Sequence, residues 1–450
     1  MNHDRPVHRL SELGAGDVAI AGGKGANLGE LIRAGLPVPP GFVITVPAYR
    51  RTVQHAGLRA DLERSAAGPD RIAAVLSERI LSERILDVDL PDEVAEPVLA
   101  AYRELGEPAV AVRSSATGED AAQASFAGIH ATFTNVRGRS ELLTCVKECW
   151  ASAFGPRARS YRSSRRITAE PAIAVVVQTM VRSERSGVIF TADPRTGDRD
   201  RVVLEAAFGL GEVVAAGQLV PDTYVLDRHG SRLLEVRIGR KDHKIVTAAD
   251  GHEVHVDLPI IEATRRVLGD DEALALARLA LRAQEHFDCP QDIEWAIQDG
   301  VTYLLQSRPI TTPAGETEPG DGVEVHGRLV GGLGAAAGIA CGPVRILVNP
   351  EHAGTFRDGE ILVAPTISPD WMPVLQRAAA IVTDGGGITC HAAIVSRELG
   401  IPAIVGTGSG TRVLYDGQRV RVDGLRGVVE EATPAEFHAR PRTGPAATHR

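Results

Sequence analysis

TDGGGITCHAAIVSRELGIPAIVG, Thr383 to Gly406, decides how the rest of the chain is read, because it sets one histidine between a triple-glycine loop and a helix. Gly385, Gly386 and Gly387 can take backbone angles closed to other residues, so successive N–H groups are expected to converge into an anion-binding nest. Residues Ala392 to Leu399 read as a helix, with apolar Ala393, Ile394 and Leu399 among Ser396, Arg397 and Glu398, and Gly400 stops it ahead of Ile401-Pro402. The positive end of that helix points at His391. Such a field disfavours imidazolium, keeps the ring nucleophilic and stabilises a phosphoryl group once attached. Local physics leaves a plainer alternative open, a tight strand-to-helix turn carrying an ordinary histidine. Zinc is disfavoured, since Cys390 and His391 are adjacent and no second ligand pair lies at metal spacing nearby.

Around this loop, Val323 to about Thr433 alternates short Val/Ile/Leu runs (VRILV, EILVAP, AAIVTDGGG, PAIVG, RVRVDG, GVVEE) with glycine turns, the pattern of a compact α/β domain. Before it, TTPAGETEPGDG, residues 311–322, has no large apolar side chain and reads as a linker. About 12 residues extend to roughly 40 Å at most and span nearer 20 Å as a coil. Residues 434–450 read as a frayed tail. Residues 1–310 are long enough for two subdomains, with a division expected near Asp193-Pro194. Helical patterns lie at Ala26–Ala34, Ser140–Phe154 and Asp271–Phe287; strand patterns lie at VAIA, AVAVRSS, AIAVVVQTMV, GVIFTA and RVVLEAA.

The 450 residues are 44% hydrophobic and 24% charged, which suits an ordinary globular protein. A formal charge of -9 with scattered arginines argues against a nucleic-acid surface, which needs a concentrated basic face. Five cysteines without framework spacing, a start lacking an apolar segment and no long apolar run lead us to expect a cytoplasmic protein without disulfides or membrane spans.

Three further stretches carry chemistry. In AIAGGKGANLGEL, Ala19 to Leu31, Lys24 is expected where an apolar strand meets a helix, a phosphate-binding arrangement that lacks the Ser/Thr of a Walker loop. A solvated turn fits this stretch equally well. AVAVRSSATGEDAAQASFAGIHATF, Ala109 to Phe133, follows a strand with Arg113, whose fork of donors suits phosphate oxygens; a surface arginine is the alternative. DIEWAIQDGVTYLLQSRPI, Asp292 to Ile310, reads as a hairpin. With a Gln298-Asp299-Gly300 loop, Ile297 pairs with Val301, Trp295 with Tyr303 and Ile293 with Leu305, leaving Glu294, Gln306 and Arg308 on the other face. A carboxylate, an amide oxygen and a guanidinium on one face suit Mg²⁺ and a polyphosphate, although a solvated face is the plain reading.

The Thr383–Gly406 string closely resembles the phosphohistidine motif of the PEP-utilising enzymes, the family of pyruvate,water dikinase, pyruvate phosphate dikinase and rifampin phosphotransferase. The remaining motifs follow in family order over roughly residues 10 to 433. The resemblance implies an α/β chain: an ATP-grasp nucleotide-binding domain of two subdomains over residues 1–310, then a swivelling β/β/α phosphohistidine domain over 323–433. It makes His391 the phosphoryl carrier, assisted by Thr389. It assigns ATP phosphates to Lys24, Arg113 and Arg308, a loop closing over ATP to Ser125 through Gly128, and nucleotide and Mg²⁺ contacts to Glu294 and Gln306. The chain departs from the family at Ile129 and Ala131, where Gln and an acidic residue are usual. Glu205 reads either as a second acidic group near the metal or as a structural glutamate.

The activity implied is that of an ATP-dependent dikinase, with ATP and Mg²⁺ as cofactors. The barrel of pyruvate-using members and the inserted domain of rifampin phosphotransferases are not recognisable in these 450 residues. The acceptor is therefore expected to be a small molecule, or to be supplied by a partner subunit. Two other classes remain open: an ATP-grasp ligase working through an acyl-phosphate, and a nucleotide-binding regulatory or scaffold subunit without turnover.

Overall fold

The computed structural model describes residues 4–62, 71–117, 131–155, 158–159, 171–248, 251–310 and 327–432. The expected linker 311–322, the tail 434–450 and the positions of Ser125, Gly128 and Ile129 lie outside the described residues. The chain divides into two compact units. The first is Met1–Ser186, Val246–Val254 and Leu279–Pro309; the second is Gly187–Ile245, His255–Arg278 and Ile310–Arg450.

In the first unit, five strands form an antiparallel sheet in the order Val7–Arg9, Gly41–Ile44, Ile173–Thr179, Val110–Ala116, Thr132–Val136. IAVVVQT, Ile173 to Thr179, is buried over nearly all its length, as expected of a central strand rich in β-branched residues. Helices Val46–His55, Asp92–Glu104 and Arg139–Ser152 cover one apolar layer, in which Tyr49 and Trp150 meet with ring centroids 5.8 Å apart.

VAIA does not form the expected strand; Val18–Arg33 is helical, kinked at Gly22, whose φ is 68°. Four apolar residues are too few to distinguish the two periods, and the glycine lets the chain leave one helical piece and restart at once. Lys24 therefore sits at the start of the restarted helix, inside the element and not at a strand end. Ser115 stitches the kink, its hydroxyl donating to the Ala21 carbonyl (2.8 Å) and accepting from the Gly25 N–H (3.2 Å). A Cβ on Gly22 would overlap the Ser115 carbonyl and hydroxyl. Gly22→Ala combines a left-handed backbone penalty with that clash, so a loss of about 2 kcal/mol or more is expected in urea unfolding.

In the second unit, Arg201–Phe208, Asp222–Asp227 and Leu233–Arg237 form an antiparallel trio. Its carboxyl-terminal part is an eight-stranded sheet in the order Arg328–Gly331, Val428–Glu431, Arg419–Asp423, Ile339–Ile346, Ile361–Ala364, Ala380–Thr383, Ala403–Val405, Leu333–Ala336. The middle is parallel, from Ile339–Ile346 through Ala403–Val405, and both margins are antiparallel. Val344, Ile361, Val363, Val382, Ile404 and Val422 fill the layer beneath. The helix His391–Leu399 follows the strand Ala380–Thr383 and ends at Gly400 in a left-handed cap (φ 67°), as the sequence implied. Among the described residues no helix is long and apolar enough to cross a membrane.

Candidate active site

The three stretches of the first unit singled out for phosphate chemistry come together. The Lys24 helix reaches the hairpin through Asn27, whose Nδ2 donates to the Ser307 carbonyl (3.0 Å), and it reaches the Arg113 strand through Ser115. Arg113 itself donates to the Leu305 carbonyl (3.1 Å). Lys24, Arg113, Glu294 and Arg308 are half-buried and Gln306 is buried.

The hairpin register differs from the expected one. The loop is the two-residue Asp299-Gly300, both with positive φ (51° and 75°), and the pairs are Gln298 with Val301, Ile297 with Thr302, Ala296 with Tyr303 and Trp295 with Leu304. A bulge then intervenes, so Leu305 faces no partner and Glu294 pairs with Gln306, Ile293 with Ser307 and Asp292 with Arg308. The expected fully apolar face is thus wrong at each pairing. Two left-handed residues close a tighter turn than a three-residue loop, and the bulge restores phase. The polar face survives this shift. It carries Glu294, Gln306 and Arg308 and gains Asp292, whose carboxylate accepts from Arg308 Nε and from its terminal nitrogen at 2.8 Å each. Sequence reading passed over Asp292, although it alternates in phase with Glu294. The bulge also explains Arg113: a carbonyl beside an unpaired strand residue is available to the guanidinium.

The donor set fits a hard cation beside polyphosphate. Glu294 and Gln306 present a carboxylate and an amide oxygen from register partners, while the neighbouring guanidinium is oriented by Asp292.

In the second unit, His391 is buried at the first position of its nine-residue helix. The expected glycine nest is not formed. Of the three glycines only Gly386 is left-handed (φ 99°), and the N–H groups of Gly385 and Gly386 donate to the Pro365 and Leu219 carbonyls at 2.9 and 3.1 Å. The following amides serve an anion that the chain itself provides. Ile388 N–H donates to Glu205 Oε1 (2.7 Å), Thr389 N–H to Oε2 (3.1 Å), and the Thr389 hydroxyl also donates to Oε2. Burial raises the Glu205 pKa, an effect that the Thr389 and Ile388 donors oppose. Gly387 lets the carboxylate this close, since a Cβ there would overlap both its oxygens. Arg397 bridges from the helix to the Ile388 and Ala335 carbonyls, at 2.9 Å each. Burial raises the Cys390 thiol to about 11, which leaves it protonated and a poor nucleophile at neutral pH. The segment ahead of the loop, Ser368 to Leu375, buries Trp371, Met372, Val374 and Leu375 and is structural.

An α/β chain with one nucleotide-type face and one histidine at a helix start falls in the class of ATP-grasp proteins joined to a phosphohistidine domain. Residues 18–322 match the family model described as pyruvate phosphate dikinase, AMP/ATP-binding domain, and residues 356–427 match the PEP-utilising enzyme, mobile domain. The chain belongs to the PEP-utilising enzyme family. It is 45% identical to a probable phosphoenolpyruvate synthase of Methanothermobacter thermautotrophicus, over 95% of this chain and 64% of that protein. Another of that name from Archaeoglobus fulgidus is 45% identical over 95% of this chain and 58% of its own length. A phosphoenolpyruvate synthase of Aeropyrum pernix is 41% identical over 97% and 60%. The chain therefore spans less than two thirds of the length of these relatives.

Proposed function

We propose that the protein is an ATP-dependent dikinase-type phosphotransferase whose carrier is His391. The observation that supports this most directly is the placement of His391, buried at the first position of a nine-residue helix and following a loop anchored by a carboxylate. In this reading Lys24, Arg113 and Arg308 neutralise the polyphosphate, with the Ser125 to Gly128 loop closing over it, and Glu294 and Gln306 hold Mg²⁺. The ion, when bound, contributes further charge neutralisation. The neutral imidazole of His391 attacks the β-phosphorus and AMP leaves with the bridging oxygen. Water then cleaves the remaining phosphoanhydride, releasing the terminal phosphate and leaving one phosphoryl group on His391. His391 alone bonds to phosphorus; for the other side chains, positioning and electrostatics supply the acceleration. Thr389 assists by fixing the loop.

The phosphoryl group then passes to an acceptor, either a small molecule or a site on a partner subunit. The names of the relatives make a pyruvate-type molecule the first to try. A cytoplasmic location and a 323–433 phosphohistidine domain swinging on the 311–322 linker belong to the same proposal. ATP labelled separately at the β- and γ-positions tests it: acid-labile β-label on the protein, with AMP and phosphate released, is expected. Formation of ADP without label on the protein would favour the acyl-phosphate ligase, and absence of turnover would favour the scaffold.

A further inference from the structure

Glu205 lies in the middle of RVVLEAAF, Arg201 to Phe208, and its side chain is fully removed from solvent. A carboxylate placed there is costly unless donors replace water. The three described above come from two consecutive residues, Ile388 and Thr389, immediately before Cys390 and His391. A glutamate needed only for strand packing would find its donors on neighbouring strands. This one is satisfied by the loop that presents the histidine. The fit is made from both sides: Gly387 leaves the space for the carboxylate, while Gly217 and Leu219 receive Gly385 and Gly386. Arg397 holds the other side of Ile388 through its carbonyl, so the two peptide groups flanking the Ile388 Cα are each fixed, one at its N–H and the other at its C=O.

We propose that Glu205 is a positioning residue of the phosphotransfer cycle, whose carboxylate fixes Gly387 to Thr389 and thereby the direction in which His391 offers its ring. This inference rests on the function proposed above. Glu205 does not touch nucleotide in this account; it acts through the loop. Fixing a nucleophile within a fraction of an ångström is worth a large part of the rate, and a displacement of about 1 Å costs roughly a hundredfold.

Glu205→Gln keeps the shape but turns an NH₂ group toward donors, setting donor against donor at Thr389. Gly387→Ala perturbs the same contact from the loop side, so it serves as an independent variant should the glutamine variant fold poorly. For variants with wild-type melting profiles, we expect first-order labelling of His391 at saturating ATP to fall roughly a hundredfold. The ATP concentration giving half-maximal rate should not change, because the residues assigned to ATP lie on other segments. Amide hydrogen exchange at Ile388 and Thr389, measured without nucleotide, should accelerate. Wild-type labelling rates with unchanged exchange would overturn the proposal, as would a rate loss matched by weaker ATP use with exchange unchanged. If the wild type itself takes no β-label, the dikinase reading fails separately. The exchange measurement still decides whether Glu205 holds the loop: faster exchange in the variants supports it, and unchanged exchange refutes it.

Discussion

His391→Ala is expected to abolish acid-labile labelling from β-labelled ATP, with AMP formation falling by at least about a thousandfold, because the covalent route loses its nucleophile. Folding should survive. Alanine is favourable in a helix, and the helix His391–Leu399 is held by the Arg397 bonds and its Gly400 cap, none of which uses the imidazole. Nucleotide binding should survive as well, since Lys24, Arg113, Glu294, Gln306 and Arg308 belong to the first unit and His391 to the second. Equilibrium binding of a non-hydrolysable ATP analogue alongside the labelling assay separates the two effects. Persistent β-label on the alanine variant would place the carrier elsewhere and sink the assignment.

Lys241→Met is expected to have the largest effect on stability. Lys241 and Asp222 form an ion pair with both side chains fully buried in the second unit. Asp222 also accepts from the Gly239 N–H at 3.0 Å and the Val267 N–H at 2.7 Å, and Lys241 donates to the Gly239 carbonyl at 2.9 Å. The pair is thus embedded in backbone bonds that tie three segments together. Removing the cation strands a carboxylate without its counter-charge, which typically costs about 3 to 5 kcal/mol. Urea unfolding should show this as a lower midpoint, and a change below about 1 kcal/mol would mean that water or a shifted side chain relieves the charge. The β-labelling chemistry of whatever fraction remains folded should be unaltered.

The strands of the carboxyl-terminal sheet were legible where β-branched residues ran together: EILVAP, AAIVT, PAIVG, RVRVDG and GVVEE each became a strand. Arg328–Gly331 and Leu333–Ala336 were not, because RLVG and LGAA carry glycine and alanine where strand signals need bulk. The kink at Gly22 and the bulge at Leu305 escaped for a related reason. Both depend on tertiary partners, Ser115 in one case and Arg113 in the other, that no local pattern contains. At the candidate site the residue types on the hairpin's polar face were readable from alternation alone, whereas Asp292 needed the true register to emerge as the partner of Arg308. Glu205 left one trace in the sequence, an acid inside an apolar strand, which marks a buried charge without saying what satisfies it. The donors lie more than 180 residues away.

The arms of the hairpin are unequal, eight residues against nine, and the difference is the bulge. This odd count constrains how the segment can change length over evolution or in design. Deleting Leu305 would regularise the ladder with Gln306 still opposite Glu294, but the carbonyl that anchors Arg113 would disappear. Deleting a residue elsewhere in either arm would shift the register and turn side chains to the opposite surface. Length changes at the Asp299-Gly300 tip, or in balanced pairs, leave that parity intact, so those are the places to graft a probe or an affinity tag without disarming the nucleotide face.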